Sequence, residues 1–337
     1  MSEIKIFSFK EEAKPLILEN IEAAIQAKQQ GALIWIDCFQ PTAEQLNLLG
    51  DTFKLHPLAI EDCIHDRQVP KMEDFSDNTF FIFNYFYYIN KTLHTDEINF
   101  FIGDNYLLSI SGINSEDRQP LKNIEKIVEQ NYGKIRQGAE LLLHSILDYI
   151  VDHKFAAIET IEDELEAMEE LILEDPATFI PKDLLALRRN LLNMRKCLFQ
   201  EREILVKICR LDCQFIKAKS IFHYRDIYDH LTKFFELTET YREMESALME
   251  LYISIINNQM TKVSNLTNKS VKRLTLITTV FMPLTLLAGI FGMSEWTMMT
   301  GTDNWRLSYP LFFVAMIIIA VISYRLILFI GRKDEII

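Results

Sequence analysis

Between Leu274 and Met293 the chain runs twenty residues without a charge, LTLITTVFMPLTLLAGIFGM. As a helix, that stretch is long enough to cross a bilayer core of about 30 Å. A second apolar run, Tyr309 to Ile330, follows after a short loop. Two spans joined in this way form a hairpin, which places both ends of the chain on one side of the membrane. Lys269, Lys272 and Arg273 precede the first span and Arg332 and Lys333 follow the second, whereas the loop carries Arg306 against Glu295 and Asp303. The positive-inside rule therefore puts both termini in the cytoplasm and the spans in the cell's plasma (inner) membrane. The mean hydropathy of +0.05 hides this, because it averages two apolar runs against a polar remainder.

The first span carries more than hydrophobicity. Thr275, Thr278, Met282, Thr285, Gly289 and Gly292 alternate by three and four residues and so lie on one seam of a helix. Small and hydroxyl-bearing residues on such a seam suit close helix packing, and they equally suit the wall of a water-filled pore. Spacing alone leaves both readings open.

The charge balance narrows the partners. A net charge of −13 over 337 residues argues against nucleic acid, whose phosphates require concentrated Lys and Arg, and is compatible with attracting cations. MSEIKIFSFKEEAK at the N-terminus lacks an apolar signal core, so the leading domain is expected to stay inside the cell. Five cysteines, Cys38, Cys63, Cys197, Cys209 and Cys213, fit a reducing compartment without a disulfide framework. Cys209 and Cys213, spaced one helical turn apart, read as two buried thiols rather than a metal pair.

In chain order, residues 1–120 read as a mixed α/β cytoplasmic domain. Ile4–Phe9, Leu33–Phe39, Thr79–Tyr88 and Ile98–Ser111 are rich in β-branched and aromatic residues and predict strands. Thr42 and Gln45 have capping-box spacing for a helix, and a second short helix is expected over Pro57 to Cys63. Residues 121–222 read as an acidic helical hairpin. One helix is expected from about Arg136 to Glu174, stopped by Asp175-Pro176, and another from Pro181 to Cys213. Nine acidic residues fall between Glu159 and Asp175, a solvated face or a cation-enriching surface. A third helix starts near His223 and meets no proline before Pro283. Continued to Gly292 it has about seventy residues, roughly 105 Å. Such a helix needs copies of itself or its neighbours as cover. The remaining boundaries are a stalk over 223–273, spans over 274–293 and 309–331, an extracytoplasmic loop over 294–308 and a cytoplasmic tail over 332–337. Arg325 in the second span reads as snorkelling to the interface, and Pro283 as a tolerated bend.

Three blocks carry a family resemblance: WIDCFQPTAEQLNLLGDTFKLHPLAIEDCIHDRQVPKMEDF (Trp35 to Phe75), YRDIYDH (Tyr224 to His230) and FMPLTLLAGIFGM (Phe281 to Met293). Together they resemble CorA-type magnesium channels, over about residue 33 to the C-terminus. The resemblance implies a funnel-shaped homopentamer whose first spans line a pore for hydrated divalent cations, gated by cytoplasmic Mg2+. Carried over residue by residue, it marks Met282, Thr285, Gly289, Gly292 and Met293 as pore positions, with Asn268 further down the stalk. It also implies a regulatory metal site between subunits that uses Asp62 and Asp226. Hard divalent cations take carboxylate oxygens of this kind, and Mg2+ often keeps several waters.

The sequence departs from the family pattern at the end of the span. The family's Gly-Met-Asn is here Gly292-Met293-Ser294, and a Ser hydroxyl is shorter than an Asn carboxamide. The acidic loop motif that usually follows is replaced, leaving Glu295 or Asp303 to supply charge at the pore mouth. Alternatives therefore stay open: a proton-coupled transporter of Zn2+, Co2+ or Ni2+ from the same superfamily, or a non-conducting membrane-tethered metal sensor. An enzyme is not expected, since the chain lacks a phosphate-cradling Gly-rich loop and its seven histidines lack zinc-ligand or nucleophile spacing.

Overall fold

The structure is a computed structural model that describes residues 3–10, 15–65, 68–113, 118–122, 124–291, 301 and 304–333. It divides into two compact units, Met1–Tyr252 and Ile253–Ile337.

The first unit is built on a seven-stranded sheet. Its strands are β1 (Glu3–Phe9), β2 (Leu16–Leu18), β3 (Leu33–Phe39), β4 (Met72–Asp74), β5 (Asn78–Ile89), β6 (Thr92–Gly103) and β7 (Tyr106–Ser111), in the order β2-β1-β3-β7-β6-β5-β4. Among the described residues only β3 and β7 pair in parallel, from Ile34 opposite Tyr106 to Phe39 opposite Ser111. The stretch expected as one strand over Ile98–Ser111 is two, because the chain reverses through Asp104 and Asn105, and Asn105 takes a φ of 57°. Asn tolerates that left-handed conformation better than most residues. Asn90 and Lys91, both with positive φ, turn β5 into β6 in the same way.

Helices α1 (Ile21–Gln29), α2 (Ala43–Phe53) and α3 (Pro57–Ile64) cover one face of the sheet. Ile34, Ile36, Phe80, Ile82, Phe101 and Leu108 form the sheet's side of that core, against Ala24, Leu46, Leu49, Ala59 and Cys63. The capping box of α2 is present, with Thr42 accepting from the Gln45 amide and Gln45 from the Thr42 amide. Gly50 lets α2 approach α3, since a Cβ there would meet Ile60 at 2.3 Å.

The opposite face is covered by α4 (Ile124–Gln130), α5 (Tyr132–Ile135), α6 (Ala139–Glu174) and α7 (Pro181–Cys209). A fully buried ion pair joins Lys154 of α6 to Glu201 of α7, and the other Glu201 oxygen accepts from the Asn84 amide of β5 at 2.8 Å. Glu164 of α6 accepts from the Tyr88 hydroxyl, and Asn190 of α7 bonds both Leu93 and Lys91. These ties join α6 and α7 to the sheet within the unit Met1–Tyr252. α6 begins at Ala139 rather than Arg136. α7 stops at Cys209, and Leu211 takes a φ of 66° beyond it. Cys213 therefore leaves the helix. It is buried and donates to the Thr79 hydroxyl at 3.4 Å, whereas Cys209 is half-buried, so only one of the two is a buried thiol. Of the nine acids on and just after α6, all are exposed except the half-buried Glu164.

α8 (Ile221–Phe291) is a single helix of 71 residues with Pro283 inside it, and it contributes to both units. The second unit also contains α9 (Trp305–Lys333). Both helices are long and apolar enough to cross a membrane. Met282, Leu286, Leu311 and Phe313 are 64–72% exposed, the reverse of a soluble core. Arg325 of α9 is exposed as well.

Candidate functional sites

The first site of interest is the last turn of α3. Pro57 starts this helix, where its missing N–H is not needed, and the His56 ring caps it by accepting from the Leu58 amide at 3.3 Å. Cys63, 2% exposed, anchors the helix against the sheet. That leaves its neighbour Asp62 half-buried, and the Lys71 ammonium bonds the Asp62 carboxylate at 2.7 Å and Glu73 at 2.8 Å. Burial works against the Lys71 charge, but the bonds to Asp62 and Glu73 outweigh it and raise its pKa. The carboxylate expected to take a divalent cation thus already holds a tethered monovalent one.

Asp226 lies on the first turns of α8 and is exposed. Asp148, across from it on α6, has its pKa raised by burial first and then by the Asp226 charge. His144, one turn before Asp148, is pushed down to about 4 by burial and by His223, against the pull of Asp226. Within one chain Asp62 and Asp226 have separate surroundings. Among the described residues no three His, Cys, Asp or Glu side chains converge as a ready metal cage. Lys71, Asp148 and His144 are not singled out by any spacing in the sequence and join these surroundings only through the fold.

The second site is the seam on α8. Thr275, Thr278, Met282, Thr285 and Gly289 are all exposed, with Met282 at 71%, and Asn268 is exposed further back on the same helix. Thr278 donates its hydroxyl hydrogen to the Leu274 carbonyl at 2.9 Å, and Thr285 donates to Phe281 at 2.8 Å. With its only hydrogen spent along the helix, each hydroxyl presents lone pairs alone to whatever lies beyond the seam. A Cβ added at Gly289 would meet nothing within 4 Å. Gly292, Met293, Ser294, Glu295 and Asp303 lie outside the described residues.

An α/β unit, a 71-residue helix long and apolar enough to cross a membrane and bearing a seam of outward acceptors, and a second membrane-length helix define a class of membrane transport protein. The family model for the CorA-like Mg2+ transporter protein matches residues 30–332, and the chain belongs to that family. It is 31% identical over 326 residues to the cobalt/magnesium transport protein CorA of Thermotoga maritima, covering 95% of this chain and 89% of the relative. It is 30% identical to the putative metal ion transporter YfjQ of Bacillus subtilis, covering 82% and 83%. The structure of the CorA magnesium transporter from Methanocaldococcus jannaschii superposes with a TM-score of 0.71 over 98% of this chain and 97% of that one, at 22% identity.

Proposed function

We propose that this chain assembles as a homopentameric channel for hydrated divalent cations, Mg2+ first among them, with α8 from each copy lining the pore. The observation that carries this reading is the acceptor-only seam. A hydrated cation turns its water hydrogens outward, and the Thr278 and Thr285 oxygens can receive them without competing donors. Met282 and Gly289 alternate with them on the same face, and Gly292, Met293 and Ser294 would follow at the mouth. The seam is exposed in the single chain, which fits a surface shared among copies around water.

Gating on this reading uses Asp62 of one copy and Asp226 of the next, since one chain keeps the two apart in their surroundings. Cytoplasmic Mg2+ bound between them holds the closed arrangement, and its loss restores repulsion between carboxylates. Such a ligand shifts the gate only by its differential affinity for the closed form. Asp226 and the seam sit on the same helix, which gives the sensor a covalent route to the pore.

The test is uptake by the purified full chain in liposomes, comparing Mg2+, Zn2+, Co2+ and Ni2+ with and without a proton gradient. Mg2+ uptake that follows the membrane potential and ignores the proton gradient is the expected result. Uptake of Zn2+ or Ni2+ that requires the gradient would replace this reading with a proton-coupled one. Binding without flux of any ion would leave only a sensor.

A further inference from the structure

Away from the pore seam and the Asp62 carboxylate, the first unit holds a cavity of about 660 Å³, a size that takes a small organic ligand. It lies where β6 runs on past its last pairing with β7, Ile98 opposite Ser111. Leu93–Glu97 of β6 form one wall and Asn193, Lys196 and Cys197 of α7 another. The segment 68–70, between α3 and β4, closes a third side.

One atom on these walls is unsatisfied. Asn84 of β5 lines the cavity at 2% exposed, and its Oδ1 accepts from no donor among the described residues. The other end of the carboxamide is hydrogen-bonded to the Cys197 thiol, which fixes the group in place. Buried acceptors are normally satisfied, so this one marks where a donor from outside belongs. Glu97 stands directly opposite Asn84 in the β5–β6 register. The two side chains therefore share a sheet face, with Cβ atoms about 4.5–5.5 Å apart. A carboxamide oxygen beside a carboxylate suits an ammonium, which carries donors and no acceptor.

The charges on the walls define the rest of the ligand. Asp96 and Arg118 offset each other, with Arg118 Nε 3.4 Å from the Asp96 carboxylate. Among the other lining residues, Glu97 of β6 and Lys196 of α7 bring one charge of each sign from different elements. Lys196 is exposed and forms no ion pair among the described residues. A purely anionic or purely cationic ligand would match only one of these charges, whereas a molecule with an ammonium and a carboxylate matches both. Val69, Pro70, Leu93 and Ile113 add apolar surface for a side chain.

We propose that this cavity binds a small zwitterion of the amino-acid class with an apolar side chain, its ammonium on Asn84 Oδ1 and Glu97 and its carboxylate on Lys196. Charge-assisted hydrogen bonds at both ends fix the ligand's direction in the cavity. Pro70 on the cavity wall is followed by Lys71, whose ammonium holds Asp62. A ligand seated against segment 68–70 therefore bears on the Mg2+ sensor. That regulatory consequence alone rests on the proposed function; the site itself does not.

The experiment is isothermal titration calorimetry of the full chain in detergent with L-leucine and L-phenylalanine. Each is compared with its N-acetyl form, which lacks the ammonium, and its amide, which lacks the carboxylate. A free amino acid should bind saturably, and either block should weaken it at least tenfold. Lys196→Met should weaken the free amino acid at least tenfold and leave the amide unchanged, because the amide has no carboxylate for Lys196 to hold. Asn84→Leu should weaken the free amino acid and the amide alike. If that variant does not fold, Lys196→Met decides, because its position is exposed. No saturable binding of either amino acid, N-acetyl forms that bind as well as the free ones, or wild-type affinity in Lys196→Met would overturn the site. The titration needs no ion flux, so failure of the channel reading and failure of this site would be seen separately.

Discussion

At the scale of single residues, Asp37 and the Lys154–Glu201 pair show how the first unit tolerates polarity in its core. Asp37 accepts from the Ser109 hydroxyl at 2.6 Å, and Ser109 in turn accepts from the Trp35 indole at 3.0 Å. Burial still dominates, and it raises the Asp37 pKa to about 6, above its usual carboxylate value. A carboxyl that binds its proton more tightly when folded stabilises the fold at low pH and loses that contribution as pH rises from about 4 to about 6. Asp37→Asn should therefore gain stability relative to wild type at pH 7, by up to about 3 kcal/mol for a shift of about two units, and gain little at pH 4. Thermal unfolding at the two pH values measures this. Lys154 and Glu201 are the opposite case, a fully buried pair whose members satisfy each other. Lys154→Met leaves Glu201 uncompensated and should cost about 3–5 kcal/mol, read as a lowered unfolding temperature. Lys71 tests the sensor. With its ammonium on Asp62, Mg2+ must displace a tethered cation. Lys71→Met should let internal Mg2+ close the channel at severalfold lower concentration, and an unchanged or raised requirement would rule out the competition.

At the scale of elements, legibility followed locality. β3 reads directly from LIWIDCF because every one of its residues is buried and apolar or paired, and the α2 capping box depends on two residues three apart. The β6–β7 reversal is carried by Gly103-Asp104-Asn105, a turn signal that two flanking apolar runs mask, and α1, β2 and β4 are short pieces whose stability comes from the sheet. The seam was legible from its spacing. The i−4 bonds that make Thr278 and Thr285 acceptors were not, since rotamer choice is set on the folded helix. The residues of the proposed regulatory site divide in the same way. Asp62 and Asp226 came from sequence blocks, while Lys71 and Asp148 emerge only when separate elements meet. A direct test at this scale is Thr285→Val, nearly isosteric and without the outward oxygen. It should leave α8 folded by circular dichroism and lower Mg2+ flux at least tenfold, whereas wild-type flux would mean the seam only packs helices.

At the scale of the whole molecule, the second unit cannot stand alone in water. α8 beyond Ile253 and α9 expose large apolar side chains along most of their length, among them Leu274, Phe281, Leu307 and Phe329. Lipid satisfies that surface, and in the proposed assembly copies of the chain cover the seam. The surplus of acid over base, net −13, suits a protein that handles cations. In the proposed gating, internal Mg2+ closes the pore by binding Asp62 and Asp226 between copies. It is tested most directly by Mg2+ flux through proteoliposomes loaded with graded internal Mg2+, wild type beside Asp62→Ala/Asp226→Ala. Internal Mg2+ should shut wild-type flux and leave the double variant conducting. Equal Mg2+ sensitivity in the two proteins would contradict it.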